Sequence, residues 1–473
     1  MAAVKFSVVI PTRERADTLR HALRTCLDQD FADYEVIVSD NDGSPPTRAV
    51  ADEAASPKVR YVRTPALLAM SSNWDFAVSH ARGEYVIVIG DDDGLLPHAL
   101  RELDALTRDA RPKALRWESA YYTWPSFALA GQGNYLRLPL GRGLREVDSA
   151  DVIRGVVGFR ELYTELPMLY NAAVRRRVLD ELRRKTGRVF PHPVPDVYSG
   201  FAVAAVAGRF LSTDVPMSVA GQSGASNGVA TLFRRGRSEI DREFRDLNAR
   251  EGLPTDPRVP DLPAFPHVPV ADSFVYAKRK LFPDSDIDLD RRQFASGCVA
   301  NLRVATEEEW HAALAQLRES LADDPAALAW FDAELAGTPF RALSPPRLRP
   351  EHLGCDGEFL HLDAAAFGVA DVAAAAGLCE RVLNYRRDGV RYLEGDAGPA
   401  TGLAARVRDL RRQCADRQQI IDGLHRECEV RLAIIQKLDK RLVRMGRGGP
   451  LKRLARWAKH KLTGLLARRA QTR

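Results

Sequence analysis

An apolar run, Tyr85-Val86-Ile87-Val88-Ile89, stops at a single glycine, Gly90, and delivers three consecutive carboxylates, Asp91-Asp92-Asp93, ahead of Gly94 and Pro97. Such a run reads as a buried strand. Adjacent acids at its end repel one another, so at least one pKa must rise unless a positive charge compensates. A divalent ion held by oxygen ligands and a diphosphate is the commonest way to satisfy such a cluster. A solvated acidic turn is the plain alternative for any short acidic motif.

The ninety preceding residues favour the first reading. Phe6-Ser7-Val8-Val9-Ile10 is stopped by Pro11, and Ala16, Leu19, Ala22, Leu23, Cys26 and Leu27 follow at helical spacing. Val36-Ile37-Val38 ends at Asp40-Asn41-Asp42-Gly43-Ser44, with a helix over 47–55, and Val59-Arg60-Tyr61-Val62 is a third, shorter strand. A further helix starts near Ser72, capped by Ser71 or Ser72. Strands alternating with helices predict an α/β fold, a mostly parallel sheet with helices on both faces. In such sheets ligands sit beyond the carboxyl ends of the strands. Here those ends carry Pro11-Thr12-Arg13, Asp40 and the three aspartates.

Four stretches resemble the family 2 glycosyltransferases, inverting enzymes with the GT-A (Rossmann-like) fold. They are Val8-Val9-Ile10-Pro11-Thr12 with Arg13 and Arg15; Val36-Ile37-Val38-Ser39-Asp40-Asn41; Gly83-Glu84-Tyr85; and Gly90-Asp91-Asp92-Asp93 with Pro97. The likeness is specific over residues 4–100 and weaker to about 235. It implies a nucleotide-sugar site at Pro11, Thr12, Arg13, Arg15, Asp40, Asn41 and Asp91. Asp40 would meet the base, and Asp91 the ribose or a bound water. Asp92 or Asp93 would hold Mg²⁺ or Mn²⁺ on the diphosphate. Gly90 stands where the family often has its first acid, which leaves the direct metal ligand open. No GxxxxGKS or GxGxxG loop is present, which argues against kinases and dehydrogenases.

Inverting transfer needs a carboxylate behind the acceptor hydroxyl. Asp196, in Pro191-His192-Pro193-Val194-Pro195-Asp196, precedes the helical run 201–207 and is the candidate base. A plain helix N-cap is the competing role. Trp117, Tyr121, Tyr122 and Trp124 are candidate acceptor contacts, with His192 a second polar one, although strand aromatics also serve as core. The loop 223–228 reads as a flap over the donor or as linker.

With 473 residues the chain exceeds one ordinary core. The boundaries read as a catalytic domain over 1–235, a Pro-rich extended linker over 236–270, a helical accessory region over 271–345 and a small accessory segment over 346–400. A coiled coil over 401–446 and a basic amphipathic helix over 450–473 complete the chain. Pro254, Pro257, Pro260, Pro263, Pro266 and Pro269 recur every third residue, as on one face of a polyproline II arm. Helical patterns cover 307–321 and 325–335. Leu403, Val407, Leu410, Cys414, Ile421, Leu424, Cys428, Ile435, Leu438 and Leu442 keep a four-three spacing, broken by Arg417 and Arg431. That predicts a homo-oligomer through a coiled coil, one long helix packed on the body being the alternative. The last helix sets Leu451, Leu454, Trp457, Leu462 and Leu465 among lysines and arginines, which suits an anionic membrane surface. No nucleic-acid module accompanies that charge.

Residues 400–473 hold 20 Lys/Arg against 6 Asp/Glu, so the overall charge of +6 conceals a mildly acidic body. The six cysteines form no CxxC pair, so neither a zinc site nor a disulfide framework is indicated. With no apolar run near the roughly 20 residues that span a bilayer, the chain reads as cytoplasmic and peripheral on the inner membrane face. The expected function is metal-dependent inverting transfer from a nucleoside diphosphate sugar to a glycan or lipid-linked acceptor in surface-polysaccharide synthesis. The alternative is a catalytically idle nucleotide-sugar-binding adaptor organised by its coiled coil.

Overall fold

Four strand-to-turn units build the edge that matters. The computed structural model describes residues 4–129, 131–224, 239–341, 348–383 and the backbone of 391–392. In it, β1 (Phe6–Thr12) leads to α1 (Ala16–Leu27), β2 (Tyr34–Asp40) to α2 (Pro45–Glu53), β3 (Val59–Arg63) to α3 (Met70–Ser79), and β4 (Tyr85–Val88) to the acids. β1 pairs in parallel with β2 and β4, and β2 with β3. The register Thr12↔Asp40 levels their carboxyl ends. Val8 and Ile10 face Leu19 and Leu23 on one side, while Val9 faces Trp74 and Val88 on the other. Burial on both faces is why these strands are continuous apolar runs rather than alternating ones. The cap expected at Ser71 or Ser72 is not formed: Ala69 precedes α3, and Ser71 Oγ donates instead to the His192 carbonyl.

The chain then builds two sheets at once. β5 (Gly94–Leu95), α4 (Ala99–Thr107), β6 (Ala114–Trp117), β7 (Ala120–Thr123), β8 (Tyr135–Pro139), β9 (Gly143–Asp148) and α5 (Ser149–Val157) follow in order. After them come β10 (Ala172–Arg175), α6 (Arg176–Thr186), α7 (Pro195–Ala207), β11 (Arg209–Thr213) and β12 (Ser218–Gln222). With β13 (Gly354–Cys355), β14 (Phe359–Asp363) and β15 (Arg391–Tyr392), the sheets have the orders β15-β9-β11-β6-β10-β4-β1-β2-β3 and β13-β14-β8-β7-β12-β5. β10 runs antiparallel to both β4 and β6, so β6 runs with β4 and also ends at the acidic edge. The first sheet is therefore mixed, parallel around β1 and antiparallel at β10.

Two expected boundaries change. The stretch 236–270 is not all extended linker: Glu239–Arg250 is a helix, and Pro269 lies within the next helix, His267–Leu281. Helices Arg291–Asn301, Glu307–Ser320 and Pro325–Glu334 then close a separate small core around Phe294, Trp310 and Phe331. The segment 346–400 is no independent accessory: β14 pairs with β8, and helix Val372–Leu383 puts Val372, Leu378 and Cys379 into the main core beside α1. Each such buried aliphatic side chain contributes about 1.5–3 kcal/mol, enough to fasten this return to the sheet. Cys26, Cys298 and Cys379 are buried thiols, but Cys355 is disulfide-bonded, against the sequence expectation. The coiled coil (401–446) and basic helix (450–473) lie outside the described residues. Among the described residues no helix is long and apolar enough to cross a membrane.

Candidate active site

Asp91 and Asp92 are buried, Asp93 is partly exposed, and the three are differently partnered. Asp91 accepts from Thr12 Oγ1 at 2.7 Å and from the Arg15 guanidinium at 2.8 Å. Asp92 Oδ2 accepts from Ser223 Oγ at 2.7 Å and its backbone N–H at 3.2 Å, with Arg15 at 3.8 Å. Asp93 accepts from two backbone N–H groups, Gly90 and Gly221, each at 2.7 Å. Among the described residues, Asp92 Oδ1 is the carboxylate oxygen of the trio with no hydrogen bond. Burial and the neighbouring Asp92 push Asp93 up to about 8, against its two backbone donors. Burial likewise raises Asp91, with Arg15 opposing and Asp92 adding to it.

The second sheet holds this trio in place. β5 leaves Asp93 directly and pairs with β12, which brings the Gly221 N–H to the carboxylate. A Cβ on Gly221 would sit 1.8 Å from the Asp92 carbonyl oxygen, so only glycine fits. Gly90 has a similar reason: a Cβ there would lie 2.9 Å from Asp93 Oδ2, because the acids fold back over it. A side chain at Gly90 would have to displace the Asp93 carboxylate.

The nucleotide-side candidates gather at the same edge, several of them engaged within the protein. Asp40 is fully buried, accepting from Gly43 N–H at 2.9 Å and Tyr61 hydroxyl at 2.6 Å. Asn41 clamps the 64–68 turn through the backbone of Leu68. Arg13 makes a bidentate pair with Glu243, at 2.7 and 2.8 Å, under the helix Glu239–Arg250. Pro11 is half-buried beside Thr12 in β1.

Asp196 is the second residue of α7 and not its N-cap, which is Val194. Burial raises its carboxyl above the usual range, opposed by backbone N–H groups and His192. Its carbonyl accepts from Ser199 Oγ, which also accepts from the Leu169 N–H. The Leu169 carbonyl is bonded by Val88 of β4, and the Asn171 carbonyl by Trp117 of β6. Tyr170 is thus suspended between the two strand ends. Burial raises its phenol, and the charges of Asp93, Asp196, Asp92 and Asp91 all add to the shift. The sequence reading missed Tyr170, which lies in no motif, and Gly221, whose signal was its proximity to the Ser223 loop.

The aromatic candidates divide. Trp117, Tyr122 and His192 are fully enclosed, which removes them as acceptor contacts: Trp117 donates to Ser218 Oγ, and His192 faces Asp272. Trp124, only 7 % exposed, donates to the Asp92 carbonyl and so positions the trio. Tyr121 alone of the set remains on an accessible face.

Among the described residues no group of three or more His, Cys, Asp or Glu side chains could hold a metal ion by itself. Mg²⁺ is commonly bound by one or two carboxylates plus substrate phosphates, and the free Asp92 Oδ1 beside the raised Asp93 fits that partial set. The fold and site define an α/β protein whose sheet edge carries a compressed cluster of three aspartates.

Comparison with known proteins places that class. Residues 7–112 match Glycosyl transferase family 2. A protein from Mycobacterium tuberculosis, described as uncharacterised, is 32% identical over 103 residues, which are 22% of this chain and 32% of that protein. The GalNAc(5)-diNAcBac-PP-undecaprenol beta-1,3-glucosyltransferase of Campylobacter jejuni is 33% identical over 102 residues, 21% of this chain and 33% of that protein. The chain thus spans about a third of the length of these curated relatives. Among solved structures, S. aureus TarS 1-349 in complex with UDP-GlcNAc is 16% identical with a TM-score of 0.41, covering 68% of this chain and 89% of that one. A Pyrobaculum calidifontis mannosyltransferase with GDP-Man and Mn²⁺ is 16% identical at 0.36, covering 71% and 76%. Residues 7–112 are thus similar to the family 2 glycosyltransferases, and they lie in an α/β fold with a mixed nine-stranded sheet.

Proposed function

We propose that the chain transfers a sugar, with inversion, from a nucleoside diphosphate sugar to a hydroxyl of a glycan or lipid-linked acceptor in surface-polysaccharide synthesis. The observation that carries this is the acidic trio folded at the carboxyl edge of the parallel strands, with Asp93 on two backbone donors, within the segment that matches Glycosyl transferase family 2. Bound Mg²⁺ or Mn²⁺, held by Asp92 and Asp93, would neutralise charge on the departing diphosphate. Pro11, Thr12, Arg13, Arg15, Asp40, Asn41 and Asp91 would line the nucleotide. Asp196 takes the proton of the acceptor hydroxyl as its oxygen bonds to the anomeric carbon. The bond from that carbon to the diphosphate oxygen breaks, and its electron pair leaves with the nucleotide. Burial lifts Asp196 toward working pH, where a general base is most effective. The Campylobacter relative's undecaprenol-linked acceptor supports the lipid-linked choice. An oligomer through 401–446 and an anionic membrane surface at 450–473 remain part of this proposal.

A panel of UDP-, GDP- and dTDP-sugars, read for nucleoside diphosphate release with Mn²⁺ or Mg²⁺, tests it. One donor should be turned over, and Asp196→Asn should slow transfer about 10²–10⁴-fold. Binding without release in every case would favour the idle adaptor, and pyrophosphate release a nucleotidyltransferase.

A further inference from the structure

Helix α7, which carries Asp196, packs on the short helix Tyr163–Glu165. Asp196 and Tyr121 both bear electrostatically on the Tyr163 phenol, and Phe265 from the proline-rich stretch meets the Tyr163 ring edge-on at 5.7 Å. Phe265 and Leu162, the residue before Tyr163, are among the few exposed large apolar side chains of the described residues. Tyr121 pairs across β7 and β8 with Arg137, so both point to the same face. The Arg137 guanidinium lies 5.8 Å from the Tyr121 ring centre and 4.8 Å from that of Phe359. Its Nε is buried with no hydrogen-bond partner.

That lack of a partner is selective. The neighbouring Arg116 pairs with Glu165 at 2.8 Å, and Arg145 with Asp214 at 2.6 Å. Arg137 has no ion pair among the described residues, and Glu118 is the acid that acts on it from beyond contact range. A guanidinium lying against two rings without an acid partner keeps a planar donor fork that matches phosphate oxygens. Aromatic faces beside it suit a sugar ring. A lysine would supply charge there without the fork.

We propose that Tyr163, Tyr121 and Arg137 form an acceptor track leading away from Asp196, with Arg137 holding a phosphate ester of the acceptor and the tyrosines its adjoining sugar. The inference rests on the transferase reading and names its acceptor class: a phosphate-bearing glycan, either a lipid diphosphate or a phosphodiester chain.

Isothermal titration of the full chain tests the track with three probes: a citronellyl-diphosphate-linked N-acetylhexosamine, a glycerol-phosphate tetramer, and the neutral methyl glycoside of the same hexosamine. One of the phosphate probes should bind at least about tenfold more tightly than the neutral glycoside, and which one identifies the source. Arg137→Gln should abolish that preference, and Arg137→Lys should restore part of it, which a merely misfolded sheet would not allow. Tyr121→Ala should weaken the hexosamine-bearing probes, phosphorylated or not. No preference in the unaltered protein, a preference that survives Arg137→Gln, or equal loss for charged and neutral hexosamine probes in that variant would overturn the inference. The titration needs no donor, so failure of transfer and failure of phosphate recognition are read separately.

Discussion

The same parallel strands carry buried acid at both ends, and the two ends are satisfied in opposite ways. At the amino edge, Glu35 of β2 accepts from Ser7 Oγ at 2.7 Å, Arg82 N–H at 2.8 Å and the Arg82 side chain at 2.6 and 3.0 Å, with Arg60 at 3.5 Å. Burial works against the charge, but the Arg82 and Ser7 bonds win and the carboxyl falls below its usual range. At the carboxyl edge, the three acids have among the described residues one cation in reach, Arg15, and Asp93 rises to about 8. A closed ion cluster fastens a fold, whereas a cluster short of positive charge is prepared for a ligand that brings it.

Removing the acids should therefore separate the two ends. Asp92→Ala with Asp93→Ala should cut nucleoside diphosphate release by at least about 10³-fold while thermal unfolding holds or rises, because repulsion is relieved. Gly221→Ala attacks the same edge through the backbone. With its Cβ directed at the Asp92 carbonyl, release should fall by about 10²-fold, and nucleotide titration should show the lost affinity. At the other end, Arg82→Ala should cost about 2–3 kcal/mol in chemical denaturation by stripping a buried carboxylate, with kcat of the surviving folded protein unchanged.

Proton linkage gives the smallest and most diagnostic contrast. Glu35 titrates low, so its contribution is present above the usual glutamate range and is lost as pH falls through its depressed value. Asp93 titrates high, so its ionisation destabilises the metal-free fold progressively from the ordinary aspartate range up to about 8. Binding of Mn²⁺ with a nucleoside diphosphate should consequently strengthen about tenfold per pH unit below that value if one proton is released. Calorimetry in two buffers of different ionisation enthalpy counts that proton.

What the sequence revealed follows from how local the physics is. α1 and the helices near 307–321 and 325–335 were legible because helical spacing, the Thr306–Glu309 capping box and Pro325 at a helix start are written within a few residues. The acidic edge was legible for the same reason. The second sheet was not: β12 meets β5 across more than 120 residues and β14 meets β8 across more than 220, pairings that no window of sequence contains. Gly221 reaches the site through the first of those pairings, and Tyr170 through the bonds of Leu169 to β4 and of Asn171 to β6. Tyr121 and Tyr122 show a finer failure, since the alternation of a strand separates core from accessible face once β7 is known to be a strand.

The central claim is that the acidic edge is incomplete until a divalent ion and a diphosphate arrive together. Thermal unfolding with Mn²⁺ alone, with UDP, GDP or dTDP alone, and with each pair measures it directly. One pair should raise Tm well beyond the sum of its parts, and Asp92→Ala with Asp93→Ala should erase that gain. No gain from any pair, or a gain that persists in the double variant, would contradict the account.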